Sequence, residues 1–163
     1  MSIQTPGAIV DVLIDLTAAA TPDLSTADAF RPHREDATGA DIRAFAESKP
    51  LACLRLFSIR ARLESTIPDV CDGNQERVRD TIDVVIAYPN TNRYVNLLGL
   101  DKIIAADLRK IRGTIGYAGF PLTYAQHGSL CTVLGDSADV VERGPVVTFA
   151  TLALTVEYWR TLL

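Results

Sequence analysis

Little in this chain is equipped for chemistry. Its 163 residues hold three cysteines, two histidines, one methionine and one tryptophan. Cys53, Cys71 and Cys131 are odd in number, far apart and never in a C-x-x-C pair. A zinc site draws on about four N or S ligands, and only His33 and His127 are present to complete one. The pattern reads as reduced thiols in a cytosolic protein, not as a disulfide framework or a metal cage. No metal and no cofactor is expected.

Other absences narrow the field further. There is no G-x-x-x-x-G-K-[ST] run, no G-x-G-x-x-G, no G-x-S-x-G elbow and no H-E-x-x-H helix. The first apolar run, Ala8 to Ala20, is interrupted by Asp11 and Asp15. It is too short and too charged to span a bilayer, which takes about 20 apolar residues. The opening M-S-I-Q-T-P-G lacks the basic start of a secretory signal. The expectation is a protein made in a cytoplasm, with no membrane partner. The formal charge is -4, so no global basic field invites nucleic acid.

What is present is architecture. Hydrophobic residues make up 48% and charged residues 22% of the chain, enough to bury a core in one domain spanning 1–163. Pro6-Gly7 opens a helix whose Ile9, Val12, Leu13 and Leu16 share one stripe, and Pro22 ends it near Ala20. An irregular arm follows at about 23–50, with one short helix from Ala40 to Glu47. From Leu51 the period changes to two. Phe57, Ile59, Ala61 and Leu63 point one way, and Ser58, Arg60, Arg62 and Glu64 the other, up to a stop at Pro68. The polar P-D-V-C-D-G-N-Q-E reads as a loop too long for a tight turn, although Asp72-Gly73 is a turn signal. Val78 to Tyr88 resumes strand character.

A second helix is predicted over Tyr94 to Ile115. Leu97, Leu100, Ile104, Leu108, Ile111 and Ile115 form its stripe. Asp101, Lys102, Asp107, Arg109, Lys110 and Arg112 form its wet side. Strand pieces at Leu130–Leu134 and Ala138–Arg143 lead through Gly144-Pro145 into the final strand, Val146 to Trp159. One face of that strand is apolar and the other mixed. The order predicts an α+β fold: a mostly antiparallel four-stranded sheet covered by one or two amphipathic helices on one face.

Candidate sites are few, and no catalytic residue stands out. Cys131, His127 and Tyr124 allow a small cysteine-dependent enzyme to be imagined, but periodicity does not fix their geometry. Asp69, Asp72 and Glu76 around Gly73 fall short of a calcium loop. His33 between Arg31 and Arg34 could serve an anion-binding arm or simply a surface loop. Arg60 and Arg62, opposed by Glu64 and Asp83, form a charged strand face. Such pairs set register and partner choice when placed between subunits. Trp159 is either core or an interface anchor. Arg60, Arg62, Glu64, Asp83 and Trp159 are therefore the candidate subunit-interface residues, and the arm is a candidate for contact with a neighbouring chain.

Four stretches carry a resemblance: R-L-F-S-I-R-A-R-L-E, R-V-R-D-T-I-D-V-V-I-A-Y-P, L-L-G-L-D-K-I-I-A-A-D-L-R-K-I and V-V-T-F-A-T-L-A-L-T-V-E-Y-W. Their order, from a leading amphipathic helix to a closing alternating strand, resembles the tail terminator proteins of long-tailed bacteriophages. The resemblance runs from Gly7 onward and rests on order and pattern, without a position-specific motif. It implies a structural virion protein of the tail or neck, assembled in the host cytoplasm. Such proteins form hexameric rings that cap the tail tube protein and dock it to the head connector or adaptor. DNA only passes through the lumen. A head completion or adaptor protein, or another tail-tube protein of the neck, would share parts of the pattern.

Overall fold

The computed structural model describes residues 6–24, 28–33, 41–61, 65–72, 75–90, 97–115, 132–136 and 140–161. Its spine is a pair of 15-residue strands, β4 (Gln75–Pro89) and β7 (Val147–Thr161). They run antiparallel in unbroken register from Gln75 opposite Thr161 to Pro89 opposite Val147. At about 3.3 Å per residue each strand reaches roughly 50 Å, far longer than any other element can match. Each is therefore flanked by two short strands laid end to end. β2 (Leu56–Ala61) pairs with the Ile82–Ala87 half of β4, and β3 (Ser65–Asp72) with its Gln75–Arg79 half. β6 (Val140–Arg143) and β5 (Thr132–Asp136) divide β7 in the same way.

β1 (Arg31–Pro32) adds a brief parallel pairing to β2 and places Pro32 on the sheet edge, where a missing N–H costs no ladder bond. The fold is α+β and the sheet mostly antiparallel, as the sequence predicts. Its seven strands occupy five positions rather than four.

Two helices cover one face. α1 (Pro6–Ala19) contributes Leu13, and α3 (Leu97–Gly113) contributes Leu100, Ile104, Leu108 and Ile111. They pack on Phe57, Ile82, Val84, Ile86, Tyr88, Ala150, Leu152 and Leu154. Each fully buried aliphatic side chain stabilises this layer by roughly 1.5–3 kcal/mol. The short helix α2 (Ile42–Ser48) lies on the opposite face. Its Ile42 and Ala46 join Cys53, Leu56, Val85, Ala87, Val147 and Phe149 in a second core. The helices are thus divided between the two faces, and Val147, Phe149 and Ala153, on the side of β7 that reads as mixed, are buried too. Among the described residues, no helix is long and apolar enough to cross a membrane.

The chain from Pro68 to Glu76 departs from its sequence reading. It is read as a loop, yet Ser65–Asp72 is a strand that carries Pro68. Asp72 stands opposite Gln75, with two residues between them, so the connection is short. Register shifts between Thr66 and Cys71, and proline in a strand is tolerated at such irregularities.

Candidate functional site

The most concentrated polar grouping is one that sequence periodicity places wrongly. Asp107 falls on the predicted wet side of α3 but is fully buried, as are Arg55 and Tyr88. The Arg55 guanidinium donates to both Asp107 oxygens, from Nε at 2.7 Å and from Nη2 at 3.1 Å. Tyr88 Oη donates to Asp107 Oδ2 at 2.8 Å. Arg55 also donates to the Asp28 carbonyl at 2.9 Å and to the Leu24 carbonyl at 2.6 Å. The Arg55 side chain so ties the start of the arm to α3, and Asp107 carries the link on to Tyr88 of β4. Burial pushes the Asp107 carboxyl above its ordinary range, against the Arg55 guanidinium and the Tyr88 hydroxyl, which hold it down. A perturbed carboxyl in a cleft would mark a catalytic candidate. This one is sealed from solvent, so its role is to fasten elements together. The only sequence signal for it is a lone arginine in the apolar run L-A-C-L-R-L-F.

The accessible chemistry lies on the α2 face. Arg60 and Asp83 are cross-strand partners in the β2–β4 ladder, as the sequence suggests. They line a cleft of about 270 Å³ between α2 and β6. Its floor is Ser58, Val85 and Thr151, and its rim is Asp41, Arg43, Val140 and Glu142. Asp41 has two tasks. Its side chain caps α2 through the Arg43 N–H at 3.4 Å, and it pairs with Arg60 at 3.0 Å. Arg43 pairs with Glu142 at 2.6 Å and lies over the Phe149 ring at 4.9 Å. A larger hollow of about 640 Å³ lies around the outer edge of β2, with Asp11 and Asp15 of α1, His33 and Arg60 among its walls.

Of the other predicted interface residues, only Trp159 is described, and its ladder position is away from this patch. Arg62 and Glu64 lie outside the described residues, as do the Cys131, His127 and Tyr124 of the enzyme alternative. Trp159 is opposite Arg77 in the ladder, whereas Asp83 is opposite Ala153. Six residues of strand place Trp159 about 20 Å along the sheet from the Asp83–Ala153 pair.

β6 borders the cleft and is an outer strand. All four of its residues are exposed, with Val140 at 49% and Val141 at 41%. Ion pairs hold it from both faces: Glu142 to Arg43 of α2, and Arg143 to Asp101 of α3 at 2.6 Å. Among the described residues, fold and site together define an α+β sheet protein with an open apolar edge beside an ion-paired cleft. No protein-family model matches the chain, and no curated protein matches it.

Proposed function

We propose that this chain is a structural protein of a long-tailed bacteriophage. Copies of it close into a ring that terminates the tail tube and joins it to the head connector. The observation that carries the reading is the open edge of β6. Soluble monomers blunt such edges with charge, proline or a covering element. Here the two charged residues of the strand are engaged by the protein's own Arg43 and Asp101. The exposed remainder is Val140 and Val141, with Val146 nearby at 39% exposed. An apolar edge of this kind is a surface for another chain.

The order of elements adds support, because it is the order on which the tail terminator resemblance rests. In this reading one copy's edge meets a different surface of the next. Such a head-to-tail contact closes into a ring when its rotation divides the circle. The hexamer caps the tail tube protein on one side and meets the connector on the other, and DNA crosses the lumen without being gripped. Negative-stain imaging of the purified protein tests this. Closed rings of one size with a central hole are expected. A uniform field of small particles without a hole contradicts the reading.

A further inference from the structure

We propose that residues 28–33 are a strap that opens and closes as a unit while the sheet stays folded, with the Arg55 side chain as its latch and Asp107 as the residue that positions the latch. The proposal stands apart from the ring reading. The strap carries β1. Of its six residues only Phe30 is buried, while Ala29, Arg31 and Pro32 are exposed. Its ladder with β2 is two residues long, against fifteen between β4 and β7. A segment that buries little apolar surface lies at the low end of the range of local stabilities in a fold.

A single guanidinium ties this segment down, and it faces two ways. Toward α3, Arg55 Nε and Nη2 donate to the Asp107 carboxylate. Toward the strap, Nη1 donates to the Asp28 carbonyl at 2.9 Å, and Nη2 donates to the Leu24 carbonyl four residues before it. The donors of a guanidinium lie in one plane at fixed angles, so the two bonds to Asp107 decide where the remaining N–H groups point. Asp107 thus acts on the strap through Arg55. The latch residue also holds a left-handed backbone, φ 54°, and strain of this kind gathers at switch segments.

The strap returns these contacts. The Arg31 N–H donates to the Arg55 carbonyl at 3.0 Å, and the His33 N–H donates to the Phe57 carbonyl at 2.6 Å. The Arg31 guanidinium donates to the Ala52 carbonyl at 2.9 Å. Phe30 lies beside the latch, its ring centroid 5.7 Å from the Arg55 guanidinium carbon, in the core that holds Phe57 and Tyr88. Withdrawing Arg55 therefore removes the carbonyl anchors and the cation near Phe30 together. Opening unpairs β2 at Leu56 and Phe57 and lifts Phe30 from the core. The β4–β7 ladder is left whole, because none of its pairs involves the strap.

Native-state hydrogen exchange on the full chain, followed by NMR across low denaturant concentrations, tests this. Val84 and Leu152, opposite each other in the β4–β7 ladder, serve as references. In the wild type, the Arg31 and His33 amides are expected to be protected about a hundredfold less than the references, with almost no dependence on denaturant. Equal protection at all four amides, with one shared denaturant dependence, means that the strap comes loose only in global unfolding and overturns the proposal. Asp107→Asn should speed exchange at Arg31 and His33 by about tenfold or more beyond any change at Val84 and Leu152, the scale of a lost charge-assisted bond. A merely structural role for Asp107 would speed all four alike, and that result overturns the latch. If Asp107→Asn does not fold, Arg55→Lys takes its place, since an ammonium keeps the charge opposite Asp107 but lacks the planar fork. The same split between strap and ladder is expected, and a uniform change overturns the latch.

Discussion

Arg55 is the one described residue other than glycine with a positive φ, at 54°. A left-handed backbone costs an L-residue roughly 1–2 kcal/mol. It is held there by its neighbours: its N–H donates to the Ala87 carbonyl and its carbonyl accepts from the Arg31 N–H, both at 3.0 Å. The bend turns the guanidinium inward onto Asp107. A buried ion pair is weak evidence of stability, but breaking one side of it is expensive. Arg55→Met or Asp107→Leu alone should therefore cost about 3–5 kcal/mol. The double variant should cost clearly less than the sum, with a coupling of about 1–3 kcal/mol in urea unfolding. Strictly additive losses would contradict the paired arrangement.

Cys53 gives a second residue-scale test. It is fully buried, and its thiol donates to the Pro50 carbonyl at 3.0 Å. Burial pushes the thiol up to about 11 from 9.0. Because the folded value is the higher one, the native state keeps its proton after the unfolded chain has lost it. This contribution to stability is complete below pH 9.0 and fades as pH rises through about 11. A thiol reagent at neutral pH, read by peptide mapping, should leave Cys53 unmodified until the protein is denatured. Rapid native labelling at Cys53 would contradict this.

At the scale of elements, the β6–β7 connection is the tightest constraint. The Gly144 N–H donates to the Val147 carbonyl at 2.9 Å, and a Cβ on Gly144 would stand 2.6 Å from that same oxygen. Asn90 fastens the turn. Its side-chain amide donates to the Gly144 carbonyl at 2.6 Å, and its Oδ1 accepts from the Thr148 hydroxyl at 2.6 Å. Gly144→Ala must shift backbone, so a loss of about 1–3 kcal/mol in chemical denaturation is expected. An unchanged midpoint would contradict the geometry.

The same scale explains what could be read in advance. The stripe Leu100, Ile104, Leu108, Ile111 and Ile115 is legible because a helix against one sheet face imposes a single period, and all five are buried. Asp107 escapes that reading because its burial depends on Arg55, 52 residues away. Phe149 and Ala153 lie on the side of β7 read as mixed, yet both are buried. Alternation shows that a strand has two sides but not how many are covered. β3 escapes because Pro68 and a polar run look like a loop, and only pairing along the long β4 makes them a strand. In the cleft, the Arg60–Asp83 pairing was legible from alternation. The part played by α2 was not, since it depends on which helix lies over that face.

For the molecule as a whole, the division of labour is between two faces and two edges. One face is sealed by α1 and α3, with Lys102 and Arg109 on the outside of α3. The other is only partly covered by α2, which leaves the ion-paired cleft. The β6 edge carries exposed valines. Surfaces that differ in this way complement one another between copies better than they match themselves, and this favours rings over twofold dimers. Native mass spectrometry of the purified chain tests that claim most directly. The account predicts one dominant species at a fixed multiple of the 17.7 kDa chain, six for the hexamer, that falls apart without a stable dimer on the way. A single species at the mass of one chain at every micromolar concentration would contradict it.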